Sequence, residues 1–244
     1  MNVNHDLKRH HGVKNVLLDI DDTLWENNIF FLQSLEWLCG EARQLGIPDR
    51  ATTSMLNQWE TFNIRWKGFG YDSYESSLLL TTGMIARRAG RLDLHAGLRT
   101  KALAWTTFLK SHPIQWRPEV EKSLPLLTKK FRTIIVTKGN PKDQMGKVER
   151  CGLKHIFDAA EVVPHKHKSC YLDVMKKHNL KAEETVMVGN SPRSDINNAK
   201  RAGLRTIYVP HPKTWYREME PILSDAPATV EVEHFGQVLQ VLEP

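Results

Sequence analysis

Val16-Leu17-Leu18 runs without a break into Asp19-Ile20-Asp21-Asp22-Thr23-Leu24-Trp25. A short apolar run with no polar alternation suits a strand buried on both faces, the condition of a parallel sheet. Side chains at i and i+2 of an extended segment project to the same side. Asp19 and Asp21 therefore converge at the carboxyl end of this strand, the edge at which open α/β sheets bind their ligands. Two acids held close together repel unless a cation lies between them or one is protonated. The pair thus implies a divalent metal or acid/base chemistry, and an Asp-rich turn is the alternative that the segment alone leaves open.

Four more segments of strand type follow: Thr133-Ile134-Ile135-Val136, Ala160-Glu161-Val162-Val163, Thr185-Val186-Met187-Val188 and Arg205-Thr206-Ile207-Tyr208-Val209, with a sixth candidate over Ala228 to Glu233. Helical patterns over Pro141 to Cys151, Ser169 to His178 and Ser194 to Ala202 separate them, each closed by a Gly or Asn stop signal. The alternation predicts a doubly wound, Rossmann-like α/β fold with a parallel sheet. About a hundred residues separate the first two strands, far more than a crossover needs. Residues 26–117 are therefore expected to form an inserted small α-helical domain, with 1–25 and 118–244 making up the sheet core. Ile29, Phe30, Leu32, Leu35, Trp37 and Leu38, then Met84, Ile85, Leu98, Leu103, Trp105 and Leu109, have core-type spacing in the insert. Trp59 to Tyr71 mixes aromatics, cations and glycines and reads as a mobile rim or a solvated loop.

Apolar residues make up 41% and charged residues 25% of the 244, which excludes collagen-like, low-complexity and wholly disordered classes. No apolar run approaches the roughly 18 residues of a membrane helix, and the start lacks the apolar core of a secretory signal. Cys39, Cys151 and Cys170 form no CxxC pair and leave an odd thiol, so a reducing, cytoplasmic setting is expected. The net charge of +6 raises an anionic partner, either a polyanion or a small phosphate ester.

Further chemistry collects at the ends of the later strands. Thr137-Lys138-Gly139-Asn140 offers a hydroxyl, a cation and flexible backbone N–H groups to a phosphate. Gly189-Asn190-Ser191-Pro192-Arg193-Ser194-Asp195 places Asp195 where it closes a metal site or, alternatively, stabilises a helix N-terminus. Between them, Pro164-His165-Lys166-His167-Lys168 carries lysines suited to neutralising phosphate charge. His165 and His167 mimic a metal pair but have no third ligand in a recognisable pattern.

Taken in chain order, these segments resemble the motifs of the haloacid dehalogenase-like superfamily in its phosphatase branch. Asp19, Asp21 and Thr23 match the nucleophile-x-acid-x-Thr motif, Thr137 the hydroxyl motif, Lys166 or Lys168 the lysine motif, and Gly189 through Asp195 the last motif; residues 26–117 match the helical cap domain in position. The resemblance implies that Asp19 attacks phosphorus to form an aspartyl-phosphate, and that Asp21 protonates the leaving alcohol and then deprotonates water. It implies Mg2+ among the Asp19 carboxylate, the Asp21 backbone carbonyl, Asp195 and Asn190, with Thr137, Lys138 and the lysine on the phosphate. Related chains with a Tyr at the helix start carry the lysine five residues earlier, which from Tyr171 favours Lys166 over Lys168. Asn190 departs from the family's more common Asp and brings no charge to the metal. Substrate choice is expected to lie in the insert.

Asp21 argues for an oxygen leaving group, since dehalogenases of the superfamily lack that acid. A small phosphorylated metabolite is the expected substrate. The competing readings are a mutase or phosphotransferase using the same carboxylates, a non-catalytic ligand-binding relative motivated by Asn190, and a nucleic-acid end phosphatase motivated by the charge. The basic residues scatter in short groups with no nucleic-acid module, which disfavours the last. Oligomeric state is not legible.

Overall fold

In the computed structural model the described residues are 9–225 and 227–242. They divide into two units, one comprising those up to Asn28 and from Ile114 onward, the other Ile29–Pro113.

The first unit is built on β1 (Asn15–Leu18), all four residues of which are buried. In chain order β1 is followed by the helices α1 (Asn28–Gln44), α2 (Asp49–Lys67), α3 (Tyr71–Arg88) and α4 (His95–Ser111), which make up the second unit. Then follow α5 (Val120–Lys130), β2 (Arg132–Lys138), α6 (Pro141–Arg150), β3 (Ala159–Val163), α7 (Lys168–His178), β4 (Thr185–Gly189), a π-turn over Pro192–Asn197, α8 (Asn198–Arg201), β5 (Arg205–Tyr208), β6 (Thr229–Glu231) and α9 (Val238–Leu242). The sheet order is β3-β2-β1-β4-β5-β6, and every pairing is parallel. This is the doubly wound α/β fold that the strand alternation predicts.

Alternate residues of the central strands feed different cores, as the period of 2 requires. Val16, Leu18, Ile135 and Val188 pack with Val120, Leu124 and Leu127 of α5 on one face. Leu17, Ile134 and Met187 pack with Tyr171, Val174 and Met175 of α7 on the other. Helix α5 has no counterpart in the sequence reading, because Pro125 lies inside it and interrupts the pattern a helix is read from.

The second unit has its own core, including Phe30, Leu38, Leu78, Ile85, Ala102 and Leu109. Three residues expected in that core are not there: Leu32, Met84 and Leu103 are each more than a third exposed. Helices here are apolar over more than one face, so spacing alone does not choose the inward one. Trp59 to Lys67 is not a loop but the last turns of α2, which is followed by Gly68 with φ at 75°. Among the described residues no helix is long and apolar enough to cross a membrane.

The first described residues are tied to the sheet. His10 is buried, its backbone N–H donates to the Val241 carbonyl (2.8 Å), and its ring Nε2 lies 3.2 Å from the Thr206 carbonyl. Burial lowers the imidazole pKa, with Arg205 adding to the effect and the Thr206 bond opposing it. The unfolded chain therefore takes up a proton more readily than the folded one as pH falls through the ordinary value of 6.5. Stability contributed by neutral His10 is complete above that value and lost below it. The melting temperature is expected to fall from pH 7.5 to pH 5.5, and to fall less in His10→Gln; equal falls in both chains sink the assignment.

Candidate active site

The backbone N–H of Asp19 donates to the Val188 carbonyl of β4 (3.0 Å), which fixes Asp19 at the carboxyl edge of the sheet, one residue past β1. Thr23 Oγ1 donates to Asp19 Oδ2 (2.8 Å) and accepts from the backbone N–H of Asn190 (3.0 Å). Lys166 Nζ reaches Asp19 Oδ1 at 2.5 Å and Asp195 Oδ1 at 2.7 Å, and all three side chains are buried. Lys168 begins α7 and is exposed. Of the two lysines, Lys166 is the one between the carboxylates.

Each arm of this triad is braced. Asn198 Nδ2 donates to the Lys166 carbonyl (2.7 Å), and the Ser191 backbone N–H donates to Asp195 Oδ2 (2.9 Å). Tyr171 Oη donates to the Ser194 carbonyl (2.9 Å), joining α7 to the π-turn that carries Asp195. A Cβ at position 189 would stand 2.4 Å from Asp195 Oδ2, so glycine is the residue that admits this carboxylate.

Two carboxylates and one ammonium leave a formal charge of −1 in a buried place, which is costly without a further cation. Burial and the Asp195 charge push the Asp19 carboxyl up to about 7, against the pull of Lys166. Burial works to lower the Lys166 pKa, but Asp19 and Asp195 outweigh it and raise the ammonium above its ordinary value. Both carboxylates thus address one point of positive charge with hard oxygen donors, a set able to hold a divalent cation.

Asp21 faces different partners. Lys147 Nζ lies 2.9 and 2.7 Å from its two oxygens, Gln144 Nε2 donates to Oδ2 (2.9 Å) and Trp25 Nε1 to Oδ1 (3.0 Å). Burial would raise the Asp21 pKa, but Lys147 and these donors lower it. Gln144 Nε2 also donates to Thr137 Oγ1 (2.6 Å) at the end of β2. Thr137 and Asp21 are thereby brought together through a side chain that the sequence reading did not single out.

Lys138 is ion-paired with Glu218, which also accepts from Ser191 Oγ (2.6 Å) and Ser194 Oγ (2.5 Å). Burial opposes ionisation of Glu218, yet Lys138 and the two hydroxyls hold its pKa down to about 2. Asn190 presents its amide to neighbours on both sides, with Oδ1 3.2 Å from Thr23 Oγ1 and Nδ2 donating to Thr214 Oγ1 (3.0 Å). His165 and His167 stack on each other with ring centroids 5.2 Å apart.

A second group, Asp22, Glu26 and His211, holds its ligand-type atoms within 4.8 Å of one another. Its members already serve one another and the backbone. Asp22 Oδ1 accepts from the N–H groups of Asn27 and Asn28 (2.9 Å each), and His211 Nε2 lies 2.9 Å from Glu26 Oε2.

The haloacid dehalogenase-like hydrolase family matches residues 16–209 of this chain, a span that includes the Asp19–Lys166–Asp195 triad and the Asp21–Lys147 pair. The chain belongs to the haloacid dehalogenase-like hydrolases. Among curated relatives, a protein named glyceraldehyde 3-phosphate phosphatase from Methanopyrus kandleri is 26% identical over 94% of this chain and 97% of its own length. One from Pyrococcus furiosus is 33% identical over 52% of this chain, and that match covers 54% of the relative, about half its length. A haloacid dehalogenase-like family hydrolase from Xanthomonas campestris superposes with a TM-score of 0.71 at 20% identity, covering 93% of each chain. A 2-haloacid dehalogenase from Pseudomonas syringae superposes with a TM-score of 0.57 at 24% identity, covering 94% of this chain and 97% of its own. The haloacid dehalogenase-like fold is common to both structures.

Gln144, Lys147 and Glu218 are the site residues that the sequence reading missed. Gln144 and Lys147 carry a weak signal, since they lie three apart on a helix that starts at the end of β2 and so share a face. Glu218 has none, lying 80 residues from the lysine it pairs with.

Proposed function

We propose that this chain is a magnesium-dependent phosphomonoesterase that hydrolyses a small phosphorylated metabolite through an aspartyl-phosphate on Asp19. The observation that carries the reading is the buried Asp19–Lys166–Asp195 triad at the carboxyl edge of the sheet, with its unbalanced negative charge. The relatives named as glyceraldehyde 3-phosphate phosphatases support a short phosphorylated aldehyde or alcohol as substrate.

Asp19 supplies the nucleophilic oxygen, and Thr23, bonded to Oδ2, holds the carboxylate in one orientation. Lys166 and the Thr137 hydroxyl stabilise charge on the transferring group, the main demand of phosphoryl transfer. Asp21 gives a proton to the leaving oxygen and later takes one from water. Asp19, Asp195, the Asp21 carbonyl and the Asn190 amide would hold Mg2+, which when bound would supply neutralisation of the negative charge that the carboxylates and the phosphate bring together. Lys138, bound to Glu218, orders the phosphate-side turn. The expected result is phosphate release from para-nitrophenyl phosphate and glyceraldehyde 3-phosphate with Mg2+, falling to background with EDTA. Binding of phosphate esters without any release would instead favour a non-catalytic relative.

A further inference from the structure

The motif pattern assigns no part to Gln144 and Lys147, yet both are buried and both close on the same acid. Lysine is rarely buried unless it is paired. Lys147 is 4% exposed, and its ammonium spans both oxygens of Asp21 and the Asn27 Oδ1 at 2.9 Å. A carboxylate accepts and does not donate, so the Gln144 atom facing Asp21 is its nitrogen. That nitrogen has two hydrogens and two acceptors, Asp21 Oδ2 and Thr137 Oγ1. With the oxygen of Thr137 accepting from Gln144, its own O–H is left to donate to another group.

The helix carrying both residues is locked at its start. Pro141 occupies the first turn, and Asn140 Oδ1 accepts from the N–H groups of Lys142 (2.9 Å) and Asp143 (3.4 Å). Gly139 makes room for the first of the pair, since a Cβ there would stand 3.2 Å from Gln144 Cγ, at a φ of +148° that side chains rarely adopt. Local chain chemistry at 139–141 therefore delivers Gln144 and Lys147 to the end of β2.

We propose that Gln144 and Lys147 are positioning residues that lock the Asp21 carboxyl group and the Thr137 hydroxyl into one rigid unit, so that proton delivery and phosphate contact stay in register. The inference rests on the phosphatase reading. In the first step the bond between phosphorus and the ester oxygen breaks, a bond from Asp19 to phosphorus forms, and the Asp21 proton goes to the departing oxygen. In the second, water attacks phosphorus, its proton goes to Asp21, and Asp19 is released as carboxylate. A carboxyl group free to turn spends less time in line with the departing oxygen, and general acid catalysis loses accordingly.

Leaving-group chemistry separates this role from a merely structural one. An alkoxide must be protonated as it departs, whereas para-nitrophenolate leaves without a proton. The parameter kcat/KM ends at the first cleavage and excludes the water step. Lys147→Met is expected to lower kcat/KM by about 30- to 100-fold on the alkyl phosphate that the wild-type chain turns over fastest, but by no more than about 5-fold on para-nitrophenyl phosphate. In the Asp21→Asn background the same change is expected to add nothing. Gln144→Leu removes no charge and serves if Lys147→Met does not fold: it also frees Thr137, so it is expected to lower kcat/KM on both esters, but more on the alkyl phosphate than on para-nitrophenyl phosphate. Equal losses on both esters, or losses that add to Asp21→Asn, overturn the positioning role and leave the phosphatase reading standing. A wild-type chain inactive on every ester overturns the reading and the inference together.

Discussion

Asp19→Asn is expected to lower phosphate release at least 10³-fold, on the order found when a catalytic nucleophile is removed, while leaving the fold in place. The amide is neutral and its nitrogen lone pair is delocalised into the carbonyl, so neither its oxygen nor its nitrogen attacks phosphorus effectively and no enzyme-bound phosphate forms. The hydrogen bonds around it adjust at small cost. The amide oxygen still accepts from Lys166, and Nδ2 turns toward Thr23 Oγ1, which now donates to Asn190 Oδ1 at 3.2 Å instead of to residue 19. The charge of the triad changes from −1 to 0, with one carboxylate left for one ammonium. That removes the repulsion between Asp19 and Asp195, so thermal stability without metal is expected to stay within about 1 kcal/mol of wild type or to rise. Calorimetry and a phosphate-release assay on the same preparation check both halves. Turnover above about 1% of wild type, with a substrate that needs the enzyme, rules out Asp19 as nucleophile.

The sheet was legible because its strands are buried on both faces and so written in unbroken apolar runs. β1 is Asn-Val-Leu-Leu and β4 Thr-Val-Met-Val-Gly, and each leads straight into its polar motif. Chain order then brought Asp19, Lys166 and Asp195 to one edge, since all the strands are parallel and end on the same side. The Tyr171 spacing has a physical basis in the hydroxyl bond from Tyr171 to Ser194, which joins the helix after the lysine to the turn bearing Asp195. What stayed hidden depends on partners remote in sequence. Asp21 reads as a neighbour of Asp19, yet its carboxylate is held by Lys147, 126 residues away, and Lys138 reads as a free cation although Glu218 holds it. In the insert the error was of another kind, because Leu32 and Phe30 sit on one apolar helix and only tertiary packing decides that Phe30 is the buried one.

Lys166→Met tests the triad from the opposite side. The substitution keeps an unbranched chain of similar length but leaves Asp19 and Asp195 buried without their shared ammonium. Breaking a buried pair by removing one partner typically costs about 3–5 kcal/mol, so the metal-free variant is expected to melt well below the metal-free wild type. Loss of a charge that stabilises the transferring group is expected to lower kcat at least 10²-fold, in keeping with the loss of one electrostatic donor elsewhere. Magnesium distinguishes this account from generic damage to the core. A divalent cation that binds the folded state alone stabilises by an amount set by its concentration relative to Kd. With the ammonium gone, the two carboxylates carry −2 rather than −1 and bind the cation more tightly. The rise in melting temperature on adding Mg2+ should therefore be larger in Lys166→Met than in wild type, whereas Lys168→Met, altering an exposed residue, should match wild type in melting temperature with and without the ion. If Mg2+ lifts Lys166→Met no more than wild type, Asp19 and Asp195 do not share a metal, and the unbalanced charge of the triad must be met by protonation of Asp19 instead.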